Sequence, residues 1–142
     1  MANIVELRGM SDDRLSENIE NAREELFNLR FQKAFAQLDN HARIRTVRRE
    51  LAQLESVLHM RMLAVEAATE EPDIAAALSG KRWQANAHFE YEDSAWQVVF
   101  NNENGSEIAT ALVNLNQKRN RSRAERAKKE QRPLVTSYEI VE

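Results

Sequence analysis

The sequence predicts a mostly α-helical chain: an antiparallel two-helix hairpin followed by a small α+β unit of β-β-α-β order. Three observations carry that prediction. Two apolar seams of helical period lie on either side of a short polar connection in the first half. A proline and a short alanine-rich stretch then interrupt the pattern. After them the spacing of apolar residues changes from helical to a period of two.

The first seam runs Leu15, Ile19, Ala22, Leu26 and Leu29, in steps of four and three that set these residues on one helical face. Ser11 stands where an N-cap belongs, Asp12 and Asp13 follow in the first turn, and Met10 is placed to staple onto Leu15. The second seam runs Ile44, Val47, Leu51, Leu54 and Leu58, with Asp39 or Asn40 as its cap. Only residues 35–41 separate the helices, so they must fold back as antiparallel neighbours. A hairpin of this size encloses little interior and should lean on a partner. Phe27, Phe31 and Phe35, in steps of four, form a second stripe that either stacks on exposed bases or packs against protein, the Ile4–Leu7 segment included.

Charge points to the kind of partner. Between residues 30 and 49 stand Arg30, Lys33, Arg43, Arg45, Arg48 and Arg49, against the single acid Asp39, whereas the first helix opens with Asp12, Asp13, Glu17, Glu20, Glu24 and Glu25. Arginine donates bidentately to phosphate and stacks on bases, so a tip of this composition suits RNA; an ordinary solvated helix face is the competing reading. The chain's net charge of −3 does not by itself suggest RNA, and residues 1–63 carry ten cations and ten anions. Any RNA binding must come from local clustering.

The fragments Glu6-Leu7-Arg8, Glu25-Leu26-Phe27-Asn28-Leu29-Arg30-Phe31-Gln32, Gln37-Leu38 and Ile44-Arg45-Thr46-Val47-Arg48-Arg49 with Ala52 resemble the ribosomal protein L twenty-nine family over residues 1–63. The resemblance implies a hairpin bound to large-subunit ribosomal RNA near the polypeptide exit tunnel. It also implies ribosomal protein L twenty-three as a neighbour, in a region visited by nascent-chain targeting factors and chaperones. By position it implies RNA contacts from Asn28, Arg30, Gln32 and Lys33 at the end of the first helix and from Arg43, Arg45, Arg48 and Arg49 in the second, mostly to phosphate and sugar. This chain departs from the family pattern at two places, with Phe35-Ala36 where a glycine is usual in the turn and Gln53 where a basic residue is usual.

The resemblance ends near Leu63. Residues 64–81 read as a linker in which Pro72 ends the long helix and Asp73 caps a short helix reaching Gly80. Residues 82–142 read as the α+β unit. Trp83, Ala85, Ala87, Phe89 and Tyr91 alternate with polar residues, Asp93-Ser94 makes a turn, and Trp96, Val98 and Phe100 continue the alternation as a second strand. Ser106 is expected to cap a helix with Ile108, Leu112 and Leu115 on one face, and Leu134, Thr136, Tyr138 and Ile140 to form a third strand. The aromatic residues suit either a core or a stacking platform, with the core favoured because the unit has few other large side chains. A basic helix over 118–132, carrying Lys118, Arg119, Arg121, Arg123 and Arg126, has almost no apolar stripe to bury and is expected to contact RNA or solvent. A unit of this size is expected to order mainly on its partner.

Several classes are disfavoured. There is no cysteine, so thiolate metal sites and disulfides are out of reach. His41, His59 and His88 are scattered, and Gly9, Gly80 and Gly105 make no phosphate-cradling loop, so neither an enzyme nor a resident cofactor is expected. No apolar run reaches membrane-spanning length and the N-terminus lacks a hydrophobic leader, which points to a cytoplasmic protein without a membrane or small-molecule partner. Besides a ribosomal constituent, the same features allow a free-standing RNA-binding regulator or a coiled-coil protein adaptor.

Overall fold

The computed structural model describes residues 3–116 and 134–141. The chain divides into two compact units, Met1–His59 and Met60–Glu142.

In the first unit, helix α1 (Ile4–Gly9) is opened by a reciprocal cap between Asn3 and Glu6. Helix α2 (Asp12–Ala34) follows, with the Ser11 hydroxyl accepting from the Arg14 N–H at 3.4 Å as expected of an N-cap. Helix α3 (Ala42–Thr69) begins after Asn40, whose side-chain oxygen accepts from the Ala42 N–H at 3.2 Å. Both predicted seams meet in one core. Leu15, Ile19, Ala22, Leu26 and Leu29 are buried with Val47, Leu54 and Val57 and with Leu7 from α1, and Met10, Ile44, Leu51 and Leu58 pack around them. Apolar burial on this scale, about 25 cal/mol per Å², holds two helices whose intrinsic propensities alone would not.

The turn between α2 and α3 closes by two backbone bonds, Gln37 N–H to Gln32 O at 2.9 Å and Ala36 N–H to Lys33 O at 3.1 Å. This is the Schellman pattern, which needs a left-handed residue at its centre. Ala36 takes that role with φ +54° at the place where glycine is usual.

In the second unit, α3 supplies Ala64, Ala67 and Ala68, and helix α4 (Pro72–Leu78) supplies Ile74 and Leu78, to a core built on a four-stranded antiparallel sheet. The sheet is a meander of β1 (Trp83–Glu90), β2 (Ala95–Asn102), β3 (Glu107–Val113) and β4 (Val135–Ile140) in that spatial order. Residues 64–81, read from the sequence as a linker, therefore carry part of this core. Pro72 sits in the first turn of α4, but Glu71 rather than Asp73 occupies the cap position, leaving Asp73 in the first turn.

Trp96, Val98 and Phe100 on β2 and Ala109, Ala111 and Val113 on β3 are buried together, with Ala85, Ala87 and Phe89 of β1 on the same face. Phe89 meets Trp96 edge-on at 5.4 Å, and Trp83 meets Phe100 in the same way at 5.4 Å. Trp96, Phe89 and Phe100 thus serve as core, and a stacking platform made of them is excluded.

The expected β-β-α-β order is corrected within the described residues, because 107–113 form strand β3 and not a helix. Ser106 is used in the β2–β3 turn: its N–H donates to the Asn102 side chain at 3.0 Å, its carbonyl accepts from the Asn102 N–H at 2.9 Å, and Gly105 adopts φ +83° beside it. The spacing of Ile108, Leu112 and Leu115 fits a helix, but Ala109, Ala111 and Val113 alternate with Thr110 and Leu112 at a period of two. That alternation wins by adding a third strand whose buried side joins β2. The predicted basic helix 118–132 lies outside the described residues.

Candidate nucleic-acid interface

Arg45, Arg48 and Ala52 recur on α3 in steps of three and four, so they share one face, with Arg49 beside them. With Lys33 from the end of α2, His41 from the turn and Ile44, they line one open concavity of about 580 Å³. Lys33, Arg45, Arg48 and Arg49 are exposed there. Among the described residues none of the four has a carboxylate within salt-bridge distance. Four cations held on one surface without internal anions create a positive potential that only an external anion neutralises.

The remaining predicted residues are placed differently. Arg43 is half-buried and turned to α2, its Nε donating to Glu25 Oε1 at 2.7 Å. That bond, then the charge of Glu25, holds the Arg43 guanidinium above its ordinary pKa. A second groove of about 280 Å³ carries Glu25 from α2 and Glu50 from α3, so the hairpin presents carboxylates in one groove and arginines in the other. Asn28, Arg30 and Gln32 are exposed on α2 and do not line the concavity. Lys118, Arg119, Arg121, Arg123 and Arg126 lie outside the described residues. Ile44, read in the sequence as part of the apolar seam and the family motif, also lines the site, and so does His41, which neither charge nor motif singles out; the signal for it is there, since 41, 45, 48 and 52 are spaced by four, three and four.

The phenylalanine stripe is not covered by α1, whose Leu7 packs into the other seam. Phe27, Phe31 and Phe35 are 67%, 57% and 60% exposed and touch each other, with ring centroids 6.4 Å and 4.7 Å apart.

The cationic concavity and the hairpin that builds it fall inside a stretch with known relatives. Residues 5–61 match the family model for the ribosomal L29 protein. A large ribosomal subunit protein uL29 from Mycobacterium ulcerans is 48% identical over 68 residues, which are 48% of this chain and 85% of that protein. The chain belongs to the ribosomal L29 family. The uL29 proteins of Tropheryma whipplei, 46% identical over 67 residues (47% of this chain and 85% of that protein), and of Mycobacterium tuberculosis, 50% identical over 60 (42% and 78%), extend the likeness. All seven residues that line the concavity lie within the L29 match, whereas the sheet of the second unit lies beyond it. No helix among the described residues is long and apolar enough to cross a membrane.

Proposed function

We propose that this chain is a structural constituent of the large ribosomal subunit and binds large-subunit ribosomal RNA through the hairpin's cationic face. The observation that carries the reading is the set Lys33, Arg45, Arg48 and Arg49, gathered in one concavity without internal carboxylate partners, inside the segment matched to the L29 family. Arginine forks on a fixed helical face give bidentate phosphate contacts, which position a protein on RNA without reading sequence. Arg30, Asn28 and Gln32 extend the same contact along α2. The exposed phenylalanine stripe supplies apolar area for a neighbouring ribosomal protein such as L twenty-three, near the exit of the nascent-chain tunnel, where targeting factors and chaperones would pass. The cationic segment 118–132 adds a second electrostatic contact to RNA. The role is architectural and not catalytic, and the compartment is the cytoplasm.

The test is sedimentation of a cell extract in high salt, following this chain and an Arg45→Glu/Arg48→Glu/Arg49→Glu variant. Stoichiometric retention of the native chain on the large subunit, with loss of the variant to the free fractions, is expected. Release of the native chain as a soluble RNA-bound species would shift the reading to a free-standing regulator, and retention of the variant would argue for a protein-paired adaptor.

A further inference from the structure

Strand β1 is one border of the sheet, and among the described residues no strand pairs with its outer edge. Exposed edges offer unpaired backbone groups to another chain, and proteins usually guard them with lysine, proline or a bulge. None of these occurs within Trp83–Glu90, and the two irregularities of the sheet lie in the β2–β3 and β3–β4 ladders. The charges at the two ends of β1 are opposite in sign. Arg82 precedes it, while Glu90, Glu92 and Asp93 close it.

We propose that β1 is a self-association edge, on which a second copy of this chain pairs antiparallel about a two-fold axis at Asn86. In that register side chains of like face meet, as continuation of both sheets requires: Trp83 faces Phe89, and Ala85 faces Ala87, on the core side, while Gln84 faces His88 and Asn86 faces its own copy on the polar side. Arg82 of each copy then opposes Glu90 of the other, giving two symmetric charge pairs. Within one chain both groups lie at the surface, Arg82 in a long, exposed contact and Glu90 against a neighbouring histidine. Arg82 Nη1 lies 3.4 Å from Glu103 with its side chain 89% exposed, and Glu90 meets His88 at 2.7 Å on the surface. The β4 edge is shorter, and its one charge, Glu139, has no cation at Leu134 or Val141 to play the part Arg82 plays beside β1, so it lacks this self-complementarity.

Sedimentation equilibrium of the full chain from micromolar to millimolar concentration is expected to show a monomer–dimer equilibrium that weakens with salt. Because each substitution acts twice across the two-fold axis, Arg82→Glu should weaken the dimer about tenfold, and Arg82→Glu/Glu90→Arg should restore it. The chain has no cysteine, so Asn86→Cys gives a direct probe: mild oxidation should link two copies, whereas Glu139→Cys should not. Circular dichroism of each variant confirms that the sheet is retained. A monomer throughout the range, a dimer indifferent to both charge changes, or a dimer that Asn86→Cys fails to link would overturn the proposal.

Discussion

Arg43 is bound to Glu25 across the hairpin, Nε to Oε1 at 2.7 Å, while Arg45 two residues on faces the open concavity with no acid beside it. Two arginines of one short run therefore have different jobs. Arg43→Gln should lower affinity for a large-subunit ribosomal RNA transcript less than Arg48→Gln, because its charge is already partly neutralised within the fold. Each phosphate that goes unneutralised should reduce the slope of log affinity against log salt by about 0.9. Arg48→Gln should show that change and Arg43→Gln only a fraction of it; equal slopes for the two variants would contradict the division. Filter binding across a salt series is the measurement.

Ala36 occupies the left-handed position that closes the Schellman turn, with φ +54°. An L residue with a Cβ is strained there by roughly 1–2 kcal/mol, and glycine relieves the strain while adding some freedom to the unfolded chain. Ala36→Gly should therefore stabilise the first unit by about 1 kcal/mol, and Ala36→Val should destabilise it by more than that. Urea unfolding followed by helical circular dichroism decides the sign.

How much of the structure is legible in the sequence depends on how many signals coincide at each element. In the hairpin the seam of Leu15, Ile19, Ala22, Leu26 and Leu29, the Ser11 cap and the short connection all agree, and the helices form where they point. Over 107–115 two overlapping apolar sets offer two periods, Ile108, Leu112 and Leu115 that of a helix and Ala109, Ala111 and Val113 that of a strand, and pairing with β2, which neither period reveals by itself, makes the choice. The site is partly legible for a related reason. Charge counting finds Arg43, Arg45, Arg48 and Arg49 together, but only helical phase and the position of Glu25 separate Arg43 from the others.

The two apolar stripes of α2 should respond oppositely to truncation. Leu15 is fully buried between the helices, so Leu15→Ala should cost about 2–5 kcal/mol. Phe31 is 57% exposed, so Phe31→Ala should leave the stability of the free chain within about 0.5 kcal/mol of the parent. If the phenylalanine stripe serves assembly, Phe31→Ala should nonetheless be displaced from the large subunit by the parent chain in a competition experiment. A large loss of stability in the free chain would instead assign Phe31 to the fold.

In the second unit the Tyr138 hydroxyl donates to the Asp73 carboxylate, joining β4 to the first turn of α4. That hydrogen bond, followed by desolvation and the negative charge of Asp73, raises the Tyr138 pKa above the ordinary tyrosine value. The sign of the linkage follows, because the neutral form is the one favoured in the fold. The contribution is fully present below about pH 10, where an unfolded tyrosine begins to ionise, and is lost as pH rises through the higher folded value. Tyr138→Phe should therefore lower Tm at neutral pH, and the gap to the parent should close in strongly alkaline solution. There the parent holds a tyrosinate against a carboxylate and should become the less stable of the two. Thermal unfolding of both chains over a pH series tests this, and a gap that stays constant across that range would show that Tyr138 acts by packing alone.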